Sequence, residues 1–212
     1  MKLTKYQHAC LVLEKESSTI IIDPGSFSHD FIMPKRVDAI IITHNHPDHF
    51  DPQLVRHILD HHSKATLIAH EEISGQFTDH SVIAPQVGQV YTISAFSLRF
   101  FGGQHAQIAE TIPVPVNFGV LVDESLYYPG DSFVVPENVS VKALALPVSA
   151  PWLKLSEVLA FLSQVKPEIA FPTHDGILSN DGKTIVDRMV GATATGQNTH
   201  YIRLDGSSVV IS

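Results

Sequence analysis

The chain has 212 residues, 44% of them hydrophobic, with 14 Lys and Arg set against 22 Asp and Glu. That length suits one large domain with a sizeable core, so residues 1–212 are expected to form a single domain. The formal net charge of −8 argues against a broad nucleic-acid surface, which would be basic, and no stretch approaches the roughly 20 continuous apolar residues of a membrane span. One cysteine, Cys10, excludes an internal disulfide framework, and its apolar neighbours make it a small core residue. Met1–Lys5 has no apolar leader behind it, so the expected compartment is the cytoplasm.

In chain order, residues 9–13 and 19–23 read as a hairpin around the polar turn 14–18. The run Val37-Asp38-Ala39-Ile40-Ile41-Ile42 reads as a buried strand. Asp51-Pro52 opens a helix, Asp suiting the cap and Pro the first helical position, with Leu54, Val55, Ile58 and Leu59 on one face. Short strands are expected at 65–69, 81–84, 89–93 and 96–101, then near 118–122, 125–128, 141–146 and 168–171. Leu155, Val158, Leu159, Leu162 and Val165 form a helical stripe between the last two. Tyr201–Leu204, Asp205-Gly206 and Ser208–Ile211 carry the signal of a closing hairpin. Two packed sheets with outer helices and a single-sheet α/β fold both fit this mixture.

The chemistry concentrates in Thr43-His44-Asn45-His46-Pro47-Asp48-His49, at the end of a predicted strand. Imidazole nitrogen and carboxylate oxygen are preferred ligands of first-row divalent metals. One tetrahedral ion cannot take all four groups and keep an open position. The alternation suits two ions, with His44 and His46 on one and Asp48 and His49 on the other. Two ions need further ligands, and His105, Asp131 and His174 each follow a short apolar run that would deliver them to one sheet edge.

With these seven positions the pattern resembles the metallo-β-lactamase superfamily. The opening 5–13 and 19–25, Leu146–Trp152 and Phe171-Pro172-Thr173-His174 resemble one compact branch of it, the zinc-dependent hydrolases related to bacterial ascorbate-6-phosphate lactonase. The resemblance implies an α/β (α+β) fold, an αββα sandwich of two mixed β-sheets flanked by helices. It assigns His44, His46 and His105 to one ion, Asp48, His49 and His174 to the other, and Asp131 to both, with Asp48 and Asp131 as the catalytic carboxylates. A water bridging two ions about 3.5–4 Å apart would have its pKa brought from about 15.7 towards 7, yielding a hydroxide nucleophile. Two zinc ions are the default cofactors; manganese or iron would accept the same donors.

Other residues carry two readings each. His8 matches a histidine common in that branch and reads equally as a support for the site or as a core or capping residue. His29 belongs to a loop that could approach the metal edge. Asp23 reads as structural, beneath the metal loop; Asp175, directly after His174, reads either as a residue orienting it or, more simply, as a turn residue before Gly176. Asn117 is either a polar contact in a pocket wall or part of a connector. Phe27 and Trp152 are ambiguous between pocket lining and core. His57 and His61, four apart on a helix, lie off its apolar face and read as surface, as do His62, His70, His80 and His200.

The expected function is dinuclear metal-dependent hydrolysis of a small-molecule ester or lactone, the substrate class resting on the branch resemblance. The alternatives are a phosphodiesterase acting on a small phosphorylated metabolite and a non-catalytic metal-binding protein that retains the fold. The expected partner is a small-molecule substrate, not nucleic acid or membrane; a homo-oligomer is left open.

Overall fold

Runs that are apolar without alternation become strands buried on both faces, as layered sheets require. In the computed structural model, which describes Met1–Ser212, the chain order is β1 (Lys2–Lys5), β2 (Leu11–Lys15), β3 (Ser18–Ile22), β4 (Ala39–Ile41), α1 (Pro52–His61), β5 (Thr66–Ile68), α2 (Glu71–Ser74) and β6 (Ser81–Ile83). A second half continues with β7 (Val90–Ile93), β8 (Phe96–Gly102), β9 (Phe118–Val122), β10 (Leu126–Tyr128), β11 (Ala143–Pro147), α3 (Leu155–Val165), β12 (Ile169–Thr173), α4 (Asn180–Gly196), β13 (His200–Tyr201) and β14 (Ser208–Val210). The first sheet runs β14-β1-β2-β3-β4-β5-β6 and the second β13-β12-β11-β10-β9-β8-β7. Both are mixed: β3 to β6 and β10 to β13 pair in parallel, the remaining neighbours antiparallel.

Side-chain alternation assigns each strand's residues to layers. Ile20, Ile22 and Ile41 join Phe96, Leu98, Phe100 and Phe171 between the sheets. Ile21 and Ile40 face the other way, onto Val55, Ile58 and Leu59 of α1. Leu144 and Ala170 similarly meet Val158, Phe161 and Leu162 of α3 and Val186 and Val190 of α4. The result is an αββα sandwich, as the resemblance implied. Asp51 caps α1 by accepting from the amides of Gln53 and Leu54, at 2.9 and 3.2 Å.

Several stretches depart from the sequence reading. The closing hairpin does not form: β13 lies parallel to β12 in the second sheet, while β14 lies antiparallel to β1 in the first. Asp205-Gly206 still turns the chain, with Ser207 N–H donating to Leu204 O at 3.2 Å and Gly206 at φ 70°. The flanking strands, however, find unpaired edges on two different sheets, and Leu204 and Ile211 enter the core between them. Helix α4 and strand β1 were not anticipated. Three glycines and four Thr or Asn residues dilute the helical signal of α4. Its buried stripe Val186, Val190 and Ala194 is only three residues long.

Candidate metal centre

All seven anticipated ligands come to one rim of the sandwich, because strand after strand ends there. The His44–His49 loop follows β4, His105 follows β8, Asp131 follows β10 and His174 follows β12. Their donor atoms form two groups, His44, His46, His105 and Asp131 in one, and His8, Asp48, His49 and His174 in the other. Within each group the donor atoms lie within 4.8 Å of one another. Asp131 touches both: Oδ2 is 3.3 Å from His105 Nε2 and 3.1 Å from His174 Nε2, while Oδ1 is 3.2 Å from His49 Nε2.

Hydrogen bonds on the far side of each ring set which nitrogen faces the centre. His49 Nδ1 donates to the Asp23 carboxylate at 2.7 Å. His105 Nδ1 donates to Ala106 O and His174 Nδ1 to Ser149 O, both at 2.5 Å. Thr43 Oγ1 gives its proton to Asp23 at 2.6 Å, so it accepts from His44 Nδ1 at 3.0 Å. In their neutral forms these four histidines therefore turn a bare Nε2 inward. His46 differs, bringing Nδ1 to 3.2 Å from His44 Nε2. Three atoms at the centre, His49 Nε2, His105 Nε2 and Asp131 Oδ1, are buried with no hydrogen-bond partner. Buried polar atoms are otherwise paired, so these converging lone pairs are the structural evidence that the residues fit divalent cations.

His8 has the opposite polarity. Its Nδ1 accepts the amide N–H of Gly176 at 3.2 Å, which leaves the proton on Nε2, and Nε2 donates to Asp48 Oδ2 at 2.9 Å. It is fully buried, and burial, opposed by the Asp48 hydrogen bond, lowers its pKa to about 4. A neutral imidazole that donates through Nε2 has no lone pair for an ion. Of the two readings the sequence left for His8, the structure selects support of the site.

Charge is balanced inside the centre. Burial disfavours charged His49, but Asp131 and Asp23 outweigh it and raise its pKa well above the usual value. His174 likewise resists burial through Asp131 and Asp48 and rises to about 9. The same contacts, against burial, hold the Asp131 carboxyl well below the usual range, and Asp48 is lowered in the same way by His174 and His8. Burial leads in depressing His44, followed by repulsion from His49. An ion bound by His49 and His174 would have to displace their protons, so its binding would strengthen as pH rises.

The supporting residues are strained in a consistent place. His8, Asp23 and His174 adopt φ of 65°, 48° and 57°, a left-handed conformation that Asp and His tolerate better than most residues. Asp23, fully buried, accepts from Thr43 N–H as well as from Thr43 Oγ1 and His49. It ties the loop down, as expected, and also aims the His49 ring at the centre. Asn117 is a clamp and not a pocket contact: it donates to Pro129 O at 2.9 Å and accepts Asp131 N–H at 3.0 Å. Asp175 is no ordinary turn residue. It is buried and paired with Lys5 at 2.9 Å and with Arg203, which also grips Asp187. The sequence signal for that hub was weak because its partners lie 170 and 28 positions away.

Gly25 lets the 24–30 loop lie on the metal loop. A Cβ there would sit 2.0 Å from Asp48 O and 2.5 Å from His49 N, both backbone atoms that cannot swing aside. Gly25→Ala is expected to destabilise the fold by about 3 kcal/mol or more, the upper end of overpacking costs. Denaturant titration checks this; an unchanged midpoint would refute the close approach.

The remaining candidates stay outside both groups. His57 and His61 stack on the exposed face of α1 with ring centroids 4.2 Å apart. His70 caps α2, His80 lies 3.4 Å from Asp60, and His200 lies in the edge strand β13. His29 lines a small cavity with Gln7, Phe27, Gly176 and Ile177, and the Phe27 ring sits 5.1 Å from that of His8. Cys10 is buried, and burial raises its thiol pKa. No helix is long and apolar enough to cross a membrane.

The family model described as a beta-lactamase superfamily domain matches residues 2–174. The chain is similar to the Rv0786c protein of Mycobacterium tuberculosis, 37% identical over 190 residues that cover 87% of this chain and 89% of that protein. It is also similar to a metal-dependent hydrolase of Enterococcus faecalis, at 22% identity over 90% of this chain and 95% of that one. Among solved structures, Igni18, a metallo hydrolase of the archaeon Ignicoccus hospitalis, superposes with a TM-score of 0.75 at 19% identity, covering 100% of this chain and 99% of its own.

Proposed function

Because the chain belongs to the beta-lactamase superfamily domain family, we propose that it is a metal-dependent hydrolase acting on a small-molecule ester or lactone. The observation that carries this reading is the convergence of ring nitrogens and the Asp131 carboxylate on two adjacent points, with three of those buried atoms lacking any hydrogen-bond partner. Two divalent ions, zinc by default, would lower the pKa of water to give a nucleophile at neutral pH and would act as a Lewis acid towards the substrate's carbonyl oxygen.

The chain's own residues do the rest. His44, His46 and His105 would hold one ion, Asp48, His49 and His174 the other, and Asp131 would serve both. Asp23, Ser149 O and Ala106 O keep the imidazoles in their binding tautomers. His8 fixes Asp48 by donation. Phe27 and Ile177, both partly exposed, line the cavity beside His8 together with Gln7, His29 and Gly176, with no Lys, Arg, Asp or Glu among them. Lys5 and Arg203, which reach the residue following His174, are engaged by Asp175. Neutral surroundings of this kind favour an ester or lactone over the anionic phosphodiester.

The test is hydrolysis of ester, lactone and phosphodiester panels by protein whose metal content is measured by plasma mass spectrometry. The expected result is about two ions per chain and ester or lactone turnover that a chelator abolishes and zinc, manganese or iron restores. Full ion occupancy with no turnover of any class would support the non-catalytic alternative, and preferential phosphodiester cleavage would reassign the substrate.

A further inference from the structure

We propose that Trp152, the single tryptophan of the chain, is a positioning residue that sets the orientation of the shared Asp131 carboxylate. The inference rests on the metal-binding part of the functional reading above. Trp152 Nε1–H donates to Asp131 Oδ2 at 2.7 Å, and this is the one hydrogen bond made to that side chain. Every other hydrogen bond holding Asp131 involves its backbone: its N–H donates to Asn117 Oδ1, and its carbonyl accepts from Ala106 N–H at 2.8 Å. The backbone contacts place the residue but leave the carboxylate free to rotate about its terminal bond. The indole decides that rotation, turning Oδ2 towards His105 and His174 and Oδ1 towards His49.

Indole chemistry suits the task. The Nε1–H group only donates. It neither titrates in the working range nor competes as a ligand, so it persists whether the neighbouring imidazoles carry protons or ions. Its ring is itself held. The Phe133 ring meets it edge-on at 5.0 Å and packs in turn against Phe161 of α3 at 5.1 Å. The 148–154 segment carrying it also supplies Ser149 O to His174 and is tied to β12 by Val148 N–H donating to Thr173 O. One loop therefore orients a ligand used by both groups and a ligand used by the second. The sequence offered no sign of this, because a tryptophan before a helix reads equally as core.

The experiment compares wild type with Trp152→Phe as full-length chains, titrated with Zn²⁺ in competition with a chromophoric chelator. Phe keeps an aromatic ring beside Phe133 and deletes the donor together with part of the indole's volume, so the unfolding midpoint is measured alongside affinity. The expected result is a 10–100-fold weaker Zn²⁺ affinity, the usual consequence of removing a partner behind a metal ligand, with the chelator-treated unfolding midpoint little changed. In wild type, Zn²⁺ should also alter the tryptophan emission up to the binding stoichiometry, a readout that needs no variant. Wild-type affinity in Trp152→Phe, or emission unmoved at saturating Zn²⁺, overturns the proposal while leaving the metal-dependent reading intact. A wild-type chain that binds no Zn²⁺ overturns both.

Discussion

Replacing Asp131 with Asn is expected to lower turnover by on the order of 10³-fold or more, the several kcal/mol assigned to a bimetal clamp, and to reduce the bound ions below two per chain. Asp131 is the one carboxylate within 3.3 Å of imidazoles from both groups. An amide keeps the volume and an oxygen acceptor for Trp152 but loses the negative charge. It also presents an N–H₂ to ring nitrogens that need a cation or a proton between themselves and an anion. The fold should survive, since Asp131 N–H and C=O, which the substitution leaves alone, make its backbone attachments. Ion content by mass spectrometry, circular dichroism and rates on the active substrate class check the three parts. Wild-type rates with two ions retained would refute the shared role.

His8→Asn separates a support from a ligand. Asn tolerates the left-handed backbone at φ 65°, so the turn between β1 and β2 should hold. It is too short to reproduce the 2.9 Å donation to Asp48. If His8 only donates, the variant should keep two ions per chain and lose about 10–100-fold in affinity and turnover. His174→Ala, which removes a nitrogen from the centre, should instead lose an ion. Equal stoichiometric loss in both variants would make His8 a ligand and refute the tautomer deduced from the Gly176 amide.

These expectations draw on different depths of information. The His44–His49 loop was legible because its ligands are adjacent in sequence and follow a strand of unbroken apolar character. His105, Asp131 and His174 were legible because each follows a short strand, and strands that run in the same direction deliver their loops to one rim. Most strands and helices α1 and α3 followed from periodicity, since alternation and helical stripes are local properties. Helix α4 escaped notice because its glycines and threonines are poor helix formers that only packing against α3 and β13 overrides.

Composition, ligand types and order along the chain are properties of the sequence itself, and they marked the candidate donors and the class of chemistry. Tertiary structure decided what depends on partners far away in the chain. The terminal turn became a crossing between sheets because β1 and β12 each had an edge to fill. Asp175 became a buried hub through Lys5 and Arg203, and Asn117 became a clamp on the Pro129–Asp131 turn. His8 became a donor because Gly176, 168 positions away, occupies its other nitrogen. Trp152 became a support for Asp131 by the same kind of long-range contact. A residue type specifies which hydrogen bonds a side chain can make; only the folded chain specifies which group stands 2.7–3.2 Å away to make them.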